Sequence, residues 1–208
     1  MTAPPTHAER ITQSLEALAP VNTQAIETFI DLAQTLGPLP PSMRILRTLR
    51  HELASLDSAA RARAACMPHL LVEMHFRDLD WWRDAHSLAG RRMTRHEAPQ
   101  FVPPKSVVSL ARAALTLAWH TVRSEPTHAT ILLGVAESVT RELAKLSPSD
   151  VNRIAERYAY ALTLRWADRP FIWGQLLSAA RDDDAEAMNL VQMRALQLLG
   201  GDLLLRTA

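Results

Sequence analysis

A segment near the end of this chain has a fainter copy 90 positions earlier, and this repeat limits the fold more than any other feature. Residues 51–83 align with residues 141–173 without a gap. The identical pairs are Glu52 and Glu142, Leu53 and Leu143, Ala54 and Ala144, Leu56 and Leu146, Arg63 and Arg153, Ala65 and Ala155, and Asp78 and Asp168. A period of this length indicates one small domain used twice. The alternative is a chance likeness between amphipathic helices, because the identities are few and rich in apolar residues.

The composition predicts a protein with a large apolar core and no strong overall charge. The chain has 208 residues, 48% of them hydrophobic, and 23 basic side chains face 22 acidic ones, which gives a net charge of +1. Any affinity for nucleic acid must therefore come from local patches. No apolar run approaches the length of a membrane span, and the first nine residues lack the apolar core of a signal peptide. The single cysteine, Cys66, excludes an internal disulfide and fits a cytoplasmic location.

Helical spacing of apolar residues predicts an all-α fold. The clearest local signal is Ser147–Pro148–Ser149–Asp150, in which a serine cap is followed by proline at the first helical position and an acid at the third. Asn22 and Asp57 are also expected to cap helices, and Gly200–Gly201 is expected to end the last one. The apolar stripe of the second copy predicts five buried residues, namely Leu143, Leu146, Ile154, Ala155 and Leu162.

Breaks in these patterns divide the chain into two units. We expect an N-terminal arm over residues 1–21, a first and diverged unit over 22–89, a Pro- and Arg-rich linker over 90–105, and a second unit over 106–208. The unbroken offset further predicts that the two units share a fold and are related by a pseudo-two-fold axis.

The second unit resembles the FlhD subunit of the bacterial flagellar master regulator. The resemblance runs from Ser106 to about Leu199 and rests on Leu133–Gly134–Val135, on the turn from Leu143 to Pro148, and on Leu164–Arg165–Trp166, where the family has a Phe-Arg-Phe-like segment. In the first unit, Met74–His75–Phe76–Arg77–Asp78 resembles that same segment more closely. The chain departs from the family in carrying two units and in having Met74 and Leu164 where the family often has cysteine.

This resemblance implies a helical transcription factor that dimerises and acts on promoter DNA with a second, zinc-binding subunit called FlhC. Similar pairs also serve conjugative mobile elements. Two fused units would reproduce within one chain the pairing that FlhD achieves between chains, and the resemblance also allows homo-oligomers of the fused chain. The alternative is a protein-only adaptor or antagonist that binds an FlhC-like partner without touching DNA.

The sequence offers little for catalysis or cofactor binding. A metal site needs three or four convergent ligands, and His69, Glu73 and His75 form only one small group, which we interpret as an ordinary helix face. No Gly-rich phosphate loop, paired-carboxylate motif or nucleophile elbow is present in the sequence. We therefore expect neither an enzyme nor a bound cofactor.

Arginines in the first unit form the candidate DNA-binding surface. Arg44, Arg47 and Arg50 recur every three residues, which predicts that they project from one side of a helix, and Arg61 and Arg63 open the next helix. Such a row can follow a phosphate backbone. The alternative is a solvated face on an arginine-rich protein.

Tryptophans supply the candidate interface residues. Trp81 and Trp82 are adjacent, so on a helix they point about 100° apart and do not easily share one small core. We expect one of these two, or Trp173 in the second copy, to lie between the units or against a partner, where large aromatic residues are enriched. The alternative is core packing alone.

Overall fold

The computed structural model describes residues 6–35, 37, 39–89 and 102–204, and this part of the chain is mostly helical, as the sequence predicts. Two two-residue strands, β1 (Val72–Glu73) and β2 (Thr163–Leu164), and two 3₁₀ turns, Pro41–Met43 and Ala159–Ala161, complete the regular structure. The α-helices are α1 (His7–Gln34), α2 (Ile45–Thr48), α3 (Arg50–Ala54), α4 (Ser58–Ala65), α5 (Leu79–Ala89), α6 (Lys105–Ser124), α7 (Pro126–Leu133), α8 (Glu137–Lys145), α9 (Pro148–Arg157), α10 (Pro170–Arg181) and α11 (Ala185–Leu204).

Two helix starts follow the local sequence signals. The Ser147 hydroxyl accepts a hydrogen bond from the Asp150 backbone N–H, and the Asp150 carboxylate accepts one from the Ser147 N–H, which completes a capping box at α9. The Asp57 carboxylate likewise accepts from the Ala60 N–H at the start of α4. Both predicted caps are confirmed, because a cap depends on residues within one helical turn.

Other predicted helix ends are wrong. Asn22 does not cap a helix: it is fully buried inside α1, which begins at His7 behind a Thr6–Glu9 capping box and runs through the expected boundary at residues 21–22. The last helix, α11, continues through Gly200–Gly201 to Leu204.

The core is continuous across both halves of the chain. Helices α1 and α6 pack against each other at its centre. Each also packs against later helices of its own half, α1 against α3 and α4, and α6 against α8 and α9. The five residues predicted to be buried, Leu143, Leu146, Ile154, Ala155 and Leu162, all lie in this core, so that prediction is confirmed.

Two helices cross from one half of the chain to the other. Helix α5, from the first half, packs against α8 and α9, and helix α10, from the second half, packs against α3 and α4. The strands β1 and β2 also join the halves: they pair antiparallel, with Val72 opposite Leu164 and Glu73 opposite Thr163. The apolar face of each half is therefore completed by residues of the other.

The last helix lies at the outside of this arrangement, where it packs against α10 and α7. Among the helices in the described part of the chain, none combines the length and the apolar character that crossing a membrane requires.

Candidate nucleic-acid interface

The row of Arg44, Arg47 and Arg50 is exposed, but it does not lie on one continuous helix. Arg44 precedes α2, Arg47 lies within it, and Arg50 opens α3 after an interruption at Leu49, whose backbone (φ −89°, ψ 6°) is not helical. Arg47 donates a hydrogen bond to the Gly37 carbonyl at 3.3 Å. The expected single helix face is therefore two short segments with a turn between them.

The guanidinium groups of Arg44, Arg47 and Arg50 border two separate depressions. Arg44 borders a depression that also contains Thr163 and Asp168, whereas Arg47 and Arg50 border another beside the end of α1. Within the described residues, neither Arg44 nor Arg50 makes an ion pair with an acid. These two side chains are thus exposed cations that no acid in the described part of the chain holds in an ion pair.

Arg61 and Arg63, the remaining two candidates, are turned toward the protein itself. Both are half-buried in α4. The Arg61 Nε donates to the Leu56 carbonyl at 3.1 Å, and the Arg63 Nε donates to the Ala180 carbonyl at 2.7 Å. Arg63 also lies 3.3 Å from a carboxylate oxygen of Asp183. Arg63 therefore ties α4 to the turn between α10 and α11.

The three candidate tryptophans take up two different positions. Trp82 and Trp173 are buried, at 1% and 2% exposure, and each indole N–H donates to a backbone carbonyl, that of His75 and that of Arg165 respectively. Trp81 is half-buried between the ring of His75, stacked at 4.6 Å, and the ring of Tyr158, edge-on at 5.3 Å.

Aromatic contacts cross between the halves at two of these tryptophans. Trp81 on α5 meets Tyr158, which follows α9, and Trp173 on α10 meets Phe29 on α1, with ring centroids 5.6 Å apart. The indole rings of Trp81 and Trp173 therefore lie where α5 and α10 pack against the other half of the chain.

A buried arginine, which the sequence patterns did not mark as a site, links the two halves. Arg165 is 2% exposed. Its Nε donates to the Leu70 carbonyl at 2.8 Å and its Nη2 to the Leu133 carbonyl at 2.6 Å, while Nη1 lies 3.8 Å from a carboxylate oxygen of Glu73. The sequence does contain one signal for this role, because Arg165 stands between Leu164 and Trp166 in an otherwise apolar segment.

Asn22 holds the same region against α1. Its amide nitrogen donates to the His69 carbonyl at 2.9 Å and its amide oxygen accepts from the Leu71 N–H at 3.0 Å. Asn22 Nδ2 also lies 3.2 Å from the Ala65 carbonyl. A buried amide with these partners fixes the non-helical stretch between α4 and β1, whose backbone groups lack helical hydrogen bonds.

His69 lies in that stretch and is held neutral. The ring is 1% exposed, sits 5.0 Å from the ring of Trp166, and has a buried Nδ1 with no hydrogen-bond partner in the described residues. Burial, with a smaller contribution from the charge of Arg165, lowers the pKa of His69 from 6.5 to about 3.

The possible ligand group His69, Glu73 and His75 does not assemble. His69 is buried, Glu73 lies in β1, and His75 is exposed with a left-handed backbone (φ 49°), so the interpretation of the three as one helix face is wrong. Among the described residues, no three His, Cys, Asp or Glu side chains come close enough to hold a metal ion.

Comparisons with known proteins add no relative to this description. No protein-family model matches the chain, and neither curated proteins nor solved structures gave a match.

Proposed function

We propose that this chain is a duplicated FlhD-like transcription regulator whose two halves form an intramolecular pseudo-dimer, and that it acts with an FlhC-like zinc-binding partner on bacterial promoter DNA, at flagellar or conjugative-element genes. The resemblance of Met74–Asp78 and Leu164–Trp166 to one family segment motivates the proposal. Each of these segments begins at or just after a strand and leads into a helix that crosses to the other half.

The single observation that carries the pseudo-dimer in this proposal is the pairing of β1 with β2. Glu73 lies opposite Thr163, and these residues are separated by 90 positions, which is also the offset of the sequence repeat. In an antiparallel pair related by a two-fold axis, the residue on the axis faces its own equivalent. The register is therefore the one that two equivalent units would adopt.

Further correspondences support a shared fold for the two halves. The caps Asp57 and Ser147 are also 90 positions apart, as are the last residues of α1 and α6, Gln34 and Ser124. The packing of α5 on α8 and α9 corresponds to that of α10 on α3 and α4. A duplicated unit explains all of these features together, whereas a chance likeness between two helices explains none of them.

DNA contact by the first half is proposed from the exposed arginines. Among the described residues, Arg44 and Arg50 have no acidic partner, and Arg47 makes one side-chain hydrogen bond, to the Gly37 carbonyl ten positions earlier. Guanidinium groups in this condition can bind phosphate oxygens without first breaking an ion pair. Such contacts position a protein on a duplex but carry no sequence information. The partner subunit would supply the sequence recognition.

One observation favours the second candidate function, a protein-only adaptor or antagonist. Arg61 and Arg63 are engaged by the Leu56 and Ala180 carbonyls, so the basic surface available to a phosphate backbone shrinks from five arginines to three. Three phosphate contacts supply only a part of typical DNA affinity. An adaptor would instead use its surface only to bind the FlhC-like subunit.

The experiment that separates these functions replaces Arg44, Arg47 and Arg50 together by Gln. DNA binding is measured on the protein purified with whatever partner accompanies it, at several salt concentrations, and the zinc content of that complex is measured as well. If all three side chains meet phosphates, the slope of log affinity against log salt will flatten by roughly 0.9 for each phosphate that the variant no longer neutralises. Partner binding and folding will not change, because the three residues are exposed.

A matched control removes the same charge elsewhere. Arg83, Arg112 and Arg141 are exposed arginines that pair with Asp80, Glu156 and Glu137 respectively. Their joint replacement by Gln should leave the salt slope unchanged. Equal flattening in both variants would attribute the effect to net charge alone. A complex with no measurable DNA affinity would exclude the regulator and favour the adaptor.

A further inference from the structure

Helix α11 has an unusual surface for the outermost helix of a fold. From Ala185 to Gly201 it contains two charged residues, Glu186 and Arg194. One face packs inward through Val191, Ala195 and Leu199. On the opposite face Leu190 is 57% exposed, Met193 55% and Leu196 39%. A helix that is apolar on both sides is ordinarily covered on both sides.

The exposed face of α11 is symmetric about Met193. Leu190 and Leu196 lie three residues to either side of it, and the amides Asn189 and Gln197 lie four to either side. At 100° per residue these five side chains fall within an arc of about 120° centred on Met193. When two copies of α11 lie antiparallel about a two-fold axis through Met193, leucine meets leucine and amide meets amide.

Two charged residues border this face: Glu186 lies on it two turns from the axis, opposite a glycine of the second copy, and Arg194 lies at its edge. Arg194 donates to the Gln175 side-chain oxygen at 2.6 Å, and its guanidinium lies 5.8 Å from the ring centre of Phe171 on α10. No like charges would therefore meet at the axis. Beside the axis, Leu190 and Met193 line a cleft of about 480 Å³ between α10 and α11, with room for side chains of a second chain.

We infer that this face of α11 binds a second copy of the chain in an antiparallel, isologous dimer with its two-fold axis at Met193. An isologous interface requires one surface patch to complement itself, which is the property of the sequence around this residue. Such a dimer depends on α11 alone and not on the proposed DNA function.

Cysteine cross-linking tests the axis directly. In a Cys66→Ser background, which removes the only native cysteine, Met193→Cys should form a disulfide-linked dimer on mild oxidation, because a residue on a two-fold axis faces its own equivalent. Leu190→Cys alone should cross-link poorly, whereas a mixture of Leu190→Cys and Leu196→Cys chains should cross-link with each other. Cross-linking of Leu190→Cys as fast as Met193→Cys would overturn the antiparallel register.

A charge substitution tests the dimer without cross-linking. Sedimentation of the unmodified full chain across the micromolar range should show twice the mass of one chain. Met193→Glu would oppose two carboxylates at the axis and should weaken the dimer about tenfold or more. Tyr160→Glu is the control, since Tyr160 is another large residue with part of its side chain exposed, at 37% against 55% for Met193, and it lies away from α11. This variant should leave the dimer intact. A monomeric unmodified chain, or a dimer that Met193→Glu does not weaken, would overturn the inference.

Discussion

At the scale of single residues, three buried polar side chains hold the non-helical part of the fold. Asn22 and Arg165 make hydrogen bonds to backbone groups, which offset part of the cost of burying them. His69 differs, because its buried Nδ1 has no partner among the described residues and its neighbour Arg165 is a cation. Protonation of His69 would add a second positive charge to a buried site, so the imidazole ring stays neutral in the folded state.

This makes the stability of the protein depend on His69 in mildly acidic solution. Folding lowers the pKa of His69 from 6.5 to about 3, so the unfolded chain takes up the proton first as pH falls. The free energy of unfolding should be independent of this group above pH 6.5 and should drop below it by about 1.4 kcal/mol per pH unit. His69→Phe should remove that part of the slope between about pH 6.5 and about pH 5. Denaturant unfolding at a series of pH values measures this slope of the free energy of unfolding against pH.

His120→Phe provides the control, because it removes a histidine that is exposed on α6. Glu142 and Asp150 have pKa values below the ordinary range for their side chains, so these two carboxylates titrate below the pH range of the test. If the unmodified chain and both variants share one slope, His69 takes no part in the acid sensitivity.

At the scale of elements, the end of α7 depends on a glycine. Gly134 has a left-handed backbone (φ +64°), and its N–H donates to the Ala129 carbonyl as α7 ends. A Cβ at this position would lie 2.5 Å from the Arg165 Nη1 atom and 3.1 Å from a methyl group of Leu199. The chain therefore needs glycine here for backbone conformation and for space, beside the arginine that links the two halves.

Gly134→Ala should lower the free energy of unfolding by at least about 1 to 2 kcal/mol, the usual cost of a left-handed backbone for a residue with a Cβ. Thermal or denaturant unfolding measures it. Gly174→Ala is the matched control: Gly174 lies inside α10 with open space at its Cβ position, so alanine there should be neutral or stabilise by roughly 0.5 to 1 kcal/mol. Equal effects at the two positions would contradict this role for Gly134.

Sequence reasoning succeeded where a feature depends on a few neighbouring residues. The caps at Asp57 and Ser147 and the buried stripe through Leu143 and Ile154 are of this kind. It failed where distant groups decide. Asn22 has the local chemistry of a cap, but carbonyls more than 40 positions away satisfy its amide inside α1. Gly200–Gly201 would end an isolated helix, yet α11 continues through both residues.

The candidate DNA-binding surface also has one part that local sequence predicts and another that depends on distant residues. The exposure of Arg44, Arg47 and Arg50 follows from their spacing between apolar residues. The hydrogen bond from Arg63 to the Ala180 carbonyl, 117 positions away, could not be predicted, because it requires the position of α10 on α4. The hydrogen-bond partners of Arg165 could not be predicted either, since they come from two separate stretches of the chain.

At the scale of the whole molecule, neither half has a complete core of its own. Helix α5 covers α8 and α9, helix α10 covers α3 and α4, and the strands pair across the halves. The surface joining the halves is thus part of one hydrophobic core, and it resembles an obligate interface more than a contact between two finished domains.

Cutting the chain between the halves should therefore leave them together. A protease site introduced among residues 90–101 would separate α5 from α6 in the chain, and after cleavage the two fragments should elute as one species in size-exclusion chromatography. They should also unfold in a single transition, because the shared core unfolds as a unit. Two folded fragments that elute separately would contradict the interdependence of the halves.

The packing of α5 against the second half of the chain also affects folding during synthesis. A ribosome releases the chain from its N-terminus, so α5, with buried Trp82 and Ala85, emerges before any residue of α8 or α9 has been synthesised. Until those helices follow, the nascent first half exposes apolar surface that it cannot bury alone. Such intermediates are prone to aggregation and are the usual substrates of chaperones. Slower translation of the second half would lengthen this exposure and lower the yield of folded protein.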